Sequence, residues 1–275
     1  MSLSWEDLTP YQVDVLDAIV TEMELEEEHF QAKLALVGRL QDALGNITGS
    51  EVMELARHRA GWLEFDPYSR AVVDKSVDEQ AWLDARRAGV TATEVAKLAQ
   101  GQPAARATIL AEKVSGIRTF FGNKYTEFGL EREPFICDQV RETHGFTPSD
   151  VLFHAVGNER HLATPDGVLV EDDGTVLLLE VKTGKNDLHP AGKEFAKTTY
   201  MDQMQWQMHV MGQNCKRTYF AWEQHDNIWV VGEDGRERPT PMPLKGEWIE
   251  RDQLRIEYLI TLADEFLDEV DWAIA

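Results

Sequence analysis

The sequence predicts a mixed α/β domain, a central sheet flanked by helices, and three observations carry that expectation. Hydrophobic residues fill 43% of the 275 positions, enough to bury a sizeable core. Past His144 the apolar spacing changes from helical to extended. The elements then run helix, three strands, helix, strand, an order that places helices outside a sheet.

Residues 11–43 read as helix, because Val13, Leu16, Ile19, Val20 and Met23 fall near helical spacing and Leu34, Leu36, Leu40 and Leu44 continue it. Gly45-Asn46 stops that helix, and Asp66-Pro67-Tyr68-Ser69 breaks the pattern again near residue 70. Residues 1–70 are therefore expected to form a helical N-terminal extension or cap, with the main domain over 71–275. In that domain 91–100, 104–114 and 125–144 read as helices, the last ended by Gly145. Segments 149–156, 162–170 and 176–182 read as strands, the last two joined by Asp172-Asp173-Gly174. Residues 198–212 return to helix. Segments 215–223 and 228–231 look like strands around His225-Asp226-Asn227, and an acidic helix over about 247–270 closes the chain.

Charge narrows the function classes. Twenty-seven Lys and Arg against 49 Asp and Glu leave −22, the opposite of a simple DNA-coating protein. The acids concentrate at the ends: residues 1–70 hold 14 acidic and 5 basic side chains, and residues 247–275 hold 9 and 2. In the middle Lys182, Lys185, Lys193 and Lys197 cluster, as do Lys216 and Arg217. That distribution suits an enzyme admitting a polyanion at one place, although ordinary solvation of acidic helices explains the ends equally well. No apolar run approaches the ~20 residues that span a bilayer, so no membrane association is expected. No signal peptide is expected from the opening residues. Two cysteines, Cys137 and Cys215, exclude a disulfide framework and four-cysteine metal sites, and are consistent with a reducing cytoplasm.

The most informative stretch is Thr164-Pro165-Asp166-Gly167 followed by Glu180-Val181-Lys182. Strand side chains alternate, so Glu180 and Lys182 share a face while Val181 points into the core. Residue 173 lies midway between 166 and 180, so a hairpin folded there sets Asp166 beside Glu180, roughly 5 Å apart. Carboxylates that close repel, and a divalent cation or a shared proton resolves the conflict. Oxygen-only ligation favours Mg²⁺ or Mn²⁺. The preceding Val176-Leu177-Leu178-Leu179 reads as a buried strand, and charges at its end are costly without partners.

These residues resemble the PD-(D/E)XK nuclease signature. More narrowly, the chain resembles the phage lambda exonuclease and YqaJ-type viral recombinase family from about Trp82 to Trp222. Four motifs carry the likeness: Trp82-Leu83-Asp84-Ala85-Arg86 with Gly89-Val90-Thr91-Ala92-Thr93-Glu94; Phe128-Gly129-Leu130-Glu131; the Asp166 and Glu180-Val181-Lys182 pair; and Tyr200-Met201-Asp202-Gln203-Met204-Gln205-Trp206. The resemblance implies a restriction-endonuclease-like core with Asp166, Glu180 and the Val181 carbonyl as metal ligands. It implies that Glu131 reaches the metal site from its helix, through water. Lys182 would orient or deprotonate the attacking water or stabilise phosphorane charge, with Gln203 positioning it and Tyr200 nearby. Arg86 and Thr93 fall where the family has an arginine and a serine of a 5′-phosphate pocket; threonine keeps the hydroxyl and adds a methyl.

The activity so implied is 5′→3′ degradation of double-stranded DNA ends, leaving 3′ single-stranded tails for single-strand annealing recombination. Two Mg²⁺ or Mn²⁺ ions would serve it, since a metal pair activates the nucleophile and steadies the leaving oxygen. The implied partners are an annealing protein and further copies of the chain in a ring-shaped trimer, in the cytoplasm of a bacterial host if the chain is phage-encoded. A sequence- or structure-specific endonuclease on the same core is the alternative, as is a non-catalytic nucleic-acid-binding module. Thr183-Gly184-Lys185 lacks the glycine-rich run of a phosphate loop. His161 is expected as a plain strand residue rather than a site residue. Trp206, Trp222 and Trp229 could stack on bases, with core packing the expected use of at least two, and Met201, Met204, Met208 and Met211 are expected in the core.

Overall fold

The computed structural model describes residues 67–275 apart from 118, 120, 121, 172, 173 and 275. The helix expected over 11–43, its stop at Gly45-Asn46 and the extension as far as residue 66 lie outside the described residues. A 3₁₀ turn, Pro67–Arg70, leads into β1 (Ala71–Asp74) and α1 (Glu79–Ala88). No helix is expected over α1 from periodicity; its start is written in Asp78, whose side chain accepts from Ala81 N at 2.9 Å. Next come β2 (Val90–Thr91), α2 (Ala92–Leu98), α3 (Pro103–Ser115) and α4 (Lys124–His144). Thr91 and Glu94 make a capping box at α2, Pro103 opens α3, and Asn123 caps α4. Gly145 at φ 82° closes α4 in the left-handed conformation that glycine tolerates.

The strands β3 (Thr147–Pro148), β4 (Val151–Ala155), β5 (Asn158–Ala163), β6 (Gly167–Val170) and β7 (Val176–Gly184) follow. A 3₁₀ turn, Phe195–Lys197, precedes α5 (Tyr200–Val210), β8 (Cys215–Gln224), β9 (Val230–Val231), β10 (Glu237–Arg238), β11 (Lys245–Glu250) and α6 (Gln253–Ile274). One sheet has the order β1-β4-β5-β2 and the other β11-β8-β7-β6-β3, with β9 and β10 a separate pair. β7 runs parallel to β8, with α5 in the crossover between them, and β2 runs parallel to β5. No helix among the described residues is long and apolar enough to cross a membrane.

Three strand expectations change. The run over 162–170 is two strands, not one: Ala163 ends β5 in the four-stranded sheet and Gly167 begins β6 in the five-stranded sheet. Pro165 offers no N–H to a ladder, so pairing breaks at Thr164-Pro165-Asp166 and the chain changes sheets there. The closing helix begins only at Gln253, because 245–250 pair antiparallel with β8 as β11. Its Trp248 and Ile249 pack on opposite faces of the sheet, an alternation that the acidic residues around them hide. The segment 228–231 contributes only Val230–Val231, and these pair with β10 rather than with the main sheet.

Alternation along β7 and β8 builds a layer on each side. Leu177, Leu179, Val181 and Ala221 join Ile136, Cys137 and Val140 of α4, whereas Phe220, Trp222 and Ile249 join Met204 of α5. Leu177, Leu178 and Leu179 are buried, each contributing roughly 1.5–3 kcal/mol of transfer free energy. Trp206 and Trp222 are core residues: Trp206 Nε1 donates to Leu162 O at 3.1 Å, and Trp222 Nε1 to Asp187 Oδ1 at 2.8 Å. Met204, Met208 and Met211 are buried, while Met201 turns outward.

His161 of β5 stands in a buried network rather than at a reactive centre. Its Nδ1 pairs with His209 Nε2 at 3.1 Å and its Nε2 with Asp264 Oδ1 at 2.9 Å. Burial pulls both histidines down, His209 to about 3, where His161, Arg251 and Arg70 add to the effect. The unfolded chain therefore binds more protons than the fold once pH drops below the ordinary histidine value of ~6.5. Stability is expected to be full above that pH and to fall steadily from it toward pH 3. Urea titrations of His209→Gln between pH 7 and 4 should show that slope reduced by about one proton; an unchanged slope would remove His209 as its source.

Candidate active site

The β6–β7 hairpin fixes the first pair. Gly167 faces Leu179 and Val170 faces Val176, a register centred on residue 173. Just before the paired segment, Asp166 N donates to Leu179 O at 3.1 Å, and Asp166 Oδ2 accepts from Val181 N at 2.6 Å. The carboxylate is thereby tied across the strand at the point where the chain leaves one sheet for the other.

Glu180 is fully buried on the α5 side of the same strand. Its Oε1 accepts from Lys182 Nζ and from Gln203 Nε2 at 2.6 Å, and its Oε2 accepts from Gln207 Nε2 at 2.7 Å. Lys182 Nζ also reaches Val181 O at 3.2 Å and lies 5.3 Å from the Tyr200 ring centroid. One face of the sheet thus brings together Glu180, Lys182, Gln203 and Tyr200, all singled out from sequence. Gln207 was missed, although its signal is simple: it lies one helical turn beyond Gln203 on the same face of α5.

The helix carboxylate needs correcting. Glu131 accepts from Arg238 Nε at 2.5 Å, in a surface network with Asp234. Glu133, two residues on, is the α4 carboxylate that feels Lys182, Asp150 and Glu180. Helical geometry explains the exchange: Glu133 precedes the buried Ile136 and Cys137 by three and four residues, so it shares the face that packs on β7. Glu131 is rotated away by two residues, and that stripe was the available sequence signal. Gly129, on the Glu133 side of the helix, lets α4 come close: an added Cβ would sit 3.3 Å from Thr183 Oγ1.

The electrostatics carry an excess of negative charge. Burial foremost, then Glu180, pushes the Asp166 carboxyl well above the usual range, with Lys182 pulling back. Burial likewise raises Glu133; Asp150 and Glu180 add to it against Lys182 and Lys75. Lys182 is pulled down by burial but raised more strongly by Glu180 and Asp166, and so stands as an ammonium. Asp166 and Glu133 open onto a cleft of about 400 Å³ that Asp74, Asp138 and Asp150 also line.

Among the described residues no three His, Cys, Asp or Glu side chains are pre-arranged around one ion. The donor chemistry nonetheless fits a hard divalent cation. Every donor is oxygen, from Asp166, Glu180, Glu133 and the Val181 carbonyl, and the Asp166 and Glu133 carboxyls are raised by burial first and by neighbouring negative charge second.

Arg86 and Thr93 stand apart from this cleft. Arg86 lies over the Trp82 ring, 4.1 Å from its centroid, and Thr93 is exposed at the start of α2. Trp229 belongs to a surface cluster of rings, 5.2 Å from Tyr125.

An ionised Asp166 costs the fold stability once pH rises above its ordinary carboxylate pKa, because its folded pKa is raised. Asp166→Asn keeps an acceptor for Val181 N and should melt at a higher temperature than the wild type at pH 7–8 in chelator. A lower melting temperature would mean that the charge is not the source of strain.

Residues 81–214 match the YqaJ-like viral recombinase domain family. Among solved structures, the chain is similar to an alkaline exonuclease, LHK-Exo, from Laribacter hongkongensis, at 24% identity and TM-score 0.50 over 71% of this chain and 94% of that one. The same enzyme in complex with dAMP aligns at 22% identity and TM-score 0.50, with the same coverage. A phage-related exonuclease from Haemophilus somnus 129PT aligns at 18% identity and TM-score 0.48 over 68% of this chain and 96% of that one. No curated protein matches the chain. The likeness to LHK-Exo is a likeness of fold, a mixed α/β core.

Proposed function

We propose, for a chain whose residues 81–214 match the YqaJ-like viral recombinase domain, that it is a metal-dependent exonuclease acting on double-stranded DNA ends. The observation that carries this is that Asp166, Glu180, Glu133 and the Lys182 ammonium lie within electrostatic reach of one another at one end of a buried strand. Mg²⁺ or Mn²⁺, two ions per site, is the cofactor these oxygens suit, held by Asp166, Glu180, Glu133 and the Val181 carbonyl. Bound there, the metal supplies an activated water at neutral pH and neutralises charge on the phosphate.

The chain's own residues do the rest. Lys182, kept protonated by its two carboxylate neighbours, orients water and meets the negative charge that builds on the phosphorane oxygens. Gln203 and Gln207 hold both oxygens of Glu180, so that carboxylate cannot rotate as charge moves. Tyr200 walls the lysine on the other side. Arg86 and Thr93 take the 5′-phosphate, which selects an end and sets a 5′→3′ direction. The product is a 3′ single-stranded tail suited to an annealing protein, and a ring of three chains would keep the enzyme on its track. The reaction belongs in the host cytoplasm, where such ends arise.

The acidic cleft repels a polyanion until cations are bound, so digestion of end-labelled linear duplex is expected with Mg²⁺ and none with chelator. Closed circular DNA should survive; cleavage of the circle would favour the endonuclease alternative, and no cleavage of either a binding module. Because Asp166 and Glu133 are raised, activity at limiting metal should climb with pH through a range above ordinary carboxylate titration. Glu133→Ala is expected to lose roughly 100-fold or more in kcat while Glu131→Ala stays within about twofold of wild type. The reverse ranking would return the role to Glu131.

A further inference from the structure

We propose that Lys113 is a positioning residue for recognition of the 5′ end, a buried strut that fixes Arg86 against Thr93. The inference rests on the assignment of those two residues to the 5′-phosphate pocket. Arg86 lies on the last turn of α1 and Thr93 on the first turn of α2, and their side chains are useful together only if the two helix ends keep one relation.

Lys113, on α3, is 4% exposed. Its Nζ donates to Arg86 O at 2.6 Å and to Glu94 Oε1 at 2.9 Å. Glu94 Oε2 in turn accepts from Thr91 N at 2.8 Å and from Thr91 Oγ1 at 2.9 Å. A single ammonium therefore joins the carbonyl of Arg86 to the capping box of the helix that carries Thr93. The return path is closed as well: the Arg87 guanidinium donates to Lys113 O and Val114 O, each at 3.1 Å.

The link between the helices is held just as firmly. A Cβ on Gly89 would lie 2.2 Å from Arg160 O, so only glycine lets the chain pass against β5 at that point. Val90 and Thr91 then pair with His161 and Leu162. Thr93 remains exposed in this frame. The Arg86 guanidinium itself lies over the buried Trp82 ring, 4.1 Å from its centroid.

Stability alone does not account for the strut. Burial lowers Lys113 despite the opposing pull of Glu94, so the ammonium's desolvation is not offset in full. Apolar residues of similar volume often serve a core as well as such a pair or better. What the pair supplies is direction, a fixed geometry for the side chains that it does not itself present.

The test compares kcat/KM on duplexes ending in 5′-phosphate and in 5′-hydroxyl, for wild type, Arg86→Ala and the charge-free double variant Lys113→Met with Glu94→Gln. The double variant should unfold cooperatively yet lose about tenfold in the phosphate-to-hydroxyl ratio, approaching Arg86→Ala. Should it not unfold cooperatively, Glu94→Gln alone, which weakens the strut and keeps its volume, gives the same readout with a smaller fall. An unchanged ratio in the folded variant, with the ratio collapsed in Arg86→Ala, would overturn the role of Lys113. An unchanged ratio in Arg86→Ala would instead overturn the pocket assignment, and the strut with it.

Discussion

A carboxylate sealed at the end of an apolar strand is the constraint around which the domain is arranged. Glu180 follows three buried leucines and is itself fully buried, so its charge needs close partners. Lys182 meets it along the strand, and Gln203 and Gln207 meet it from the crossover helix. Those partners dictate where α5 lies and which face it turns down. The parallel pairing of β7 with β8 requires such a crossover, and the carboxylate decides its rotation.

On the other face of the same strand the demand is different. Val181, Leu179 and Leu177 are packed by α4, and the close approach at Gly129 lets that helix deliver Glu133 to the strand's end. Charge therefore accumulates at one edge of a core that is otherwise apolar on both faces. The fold carries it by raising Asp166 and Glu133 and by setting Lys182 beside them.

The hairpin was legible because its arithmetic is local: a midpoint at residue 173 fixes which residues face one another, and strand alternation fixes which side each takes. The helices of the middle region were legible from apolar spacing and from stops such as Gly145. The Phe128–Glu131 motif points to Glu131, whereas the buried stripe through Ile136, Cys137 and Val140, equally present in the sequence, points to Glu133. The change of sheets at Pro165 was readable as a break but not as a destination, since partner choice depends on distant strands. Strand β11 was hidden because its only apolar side chains, Trp248 and Ile249, are adjacent and pack on opposite faces, so no single period repeats. Asp74 and Asp150 reach the cleft only through tertiary packing, and no spacing announces them.

The change of sheets at Thr164-Pro165-Asp166 has a mechanical corollary. Leu162 is laddered to Thr91, and four residues later Asp166 is anchored to Val181. So short a tether, fully extended, spans about 14 Å at most. The corner that carries Arg86 and Thr93 and the carboxylate beside Glu180 therefore cannot drift apart, however the two sheets flex. Covalent chain, as well as packing, sets the gauge between the two.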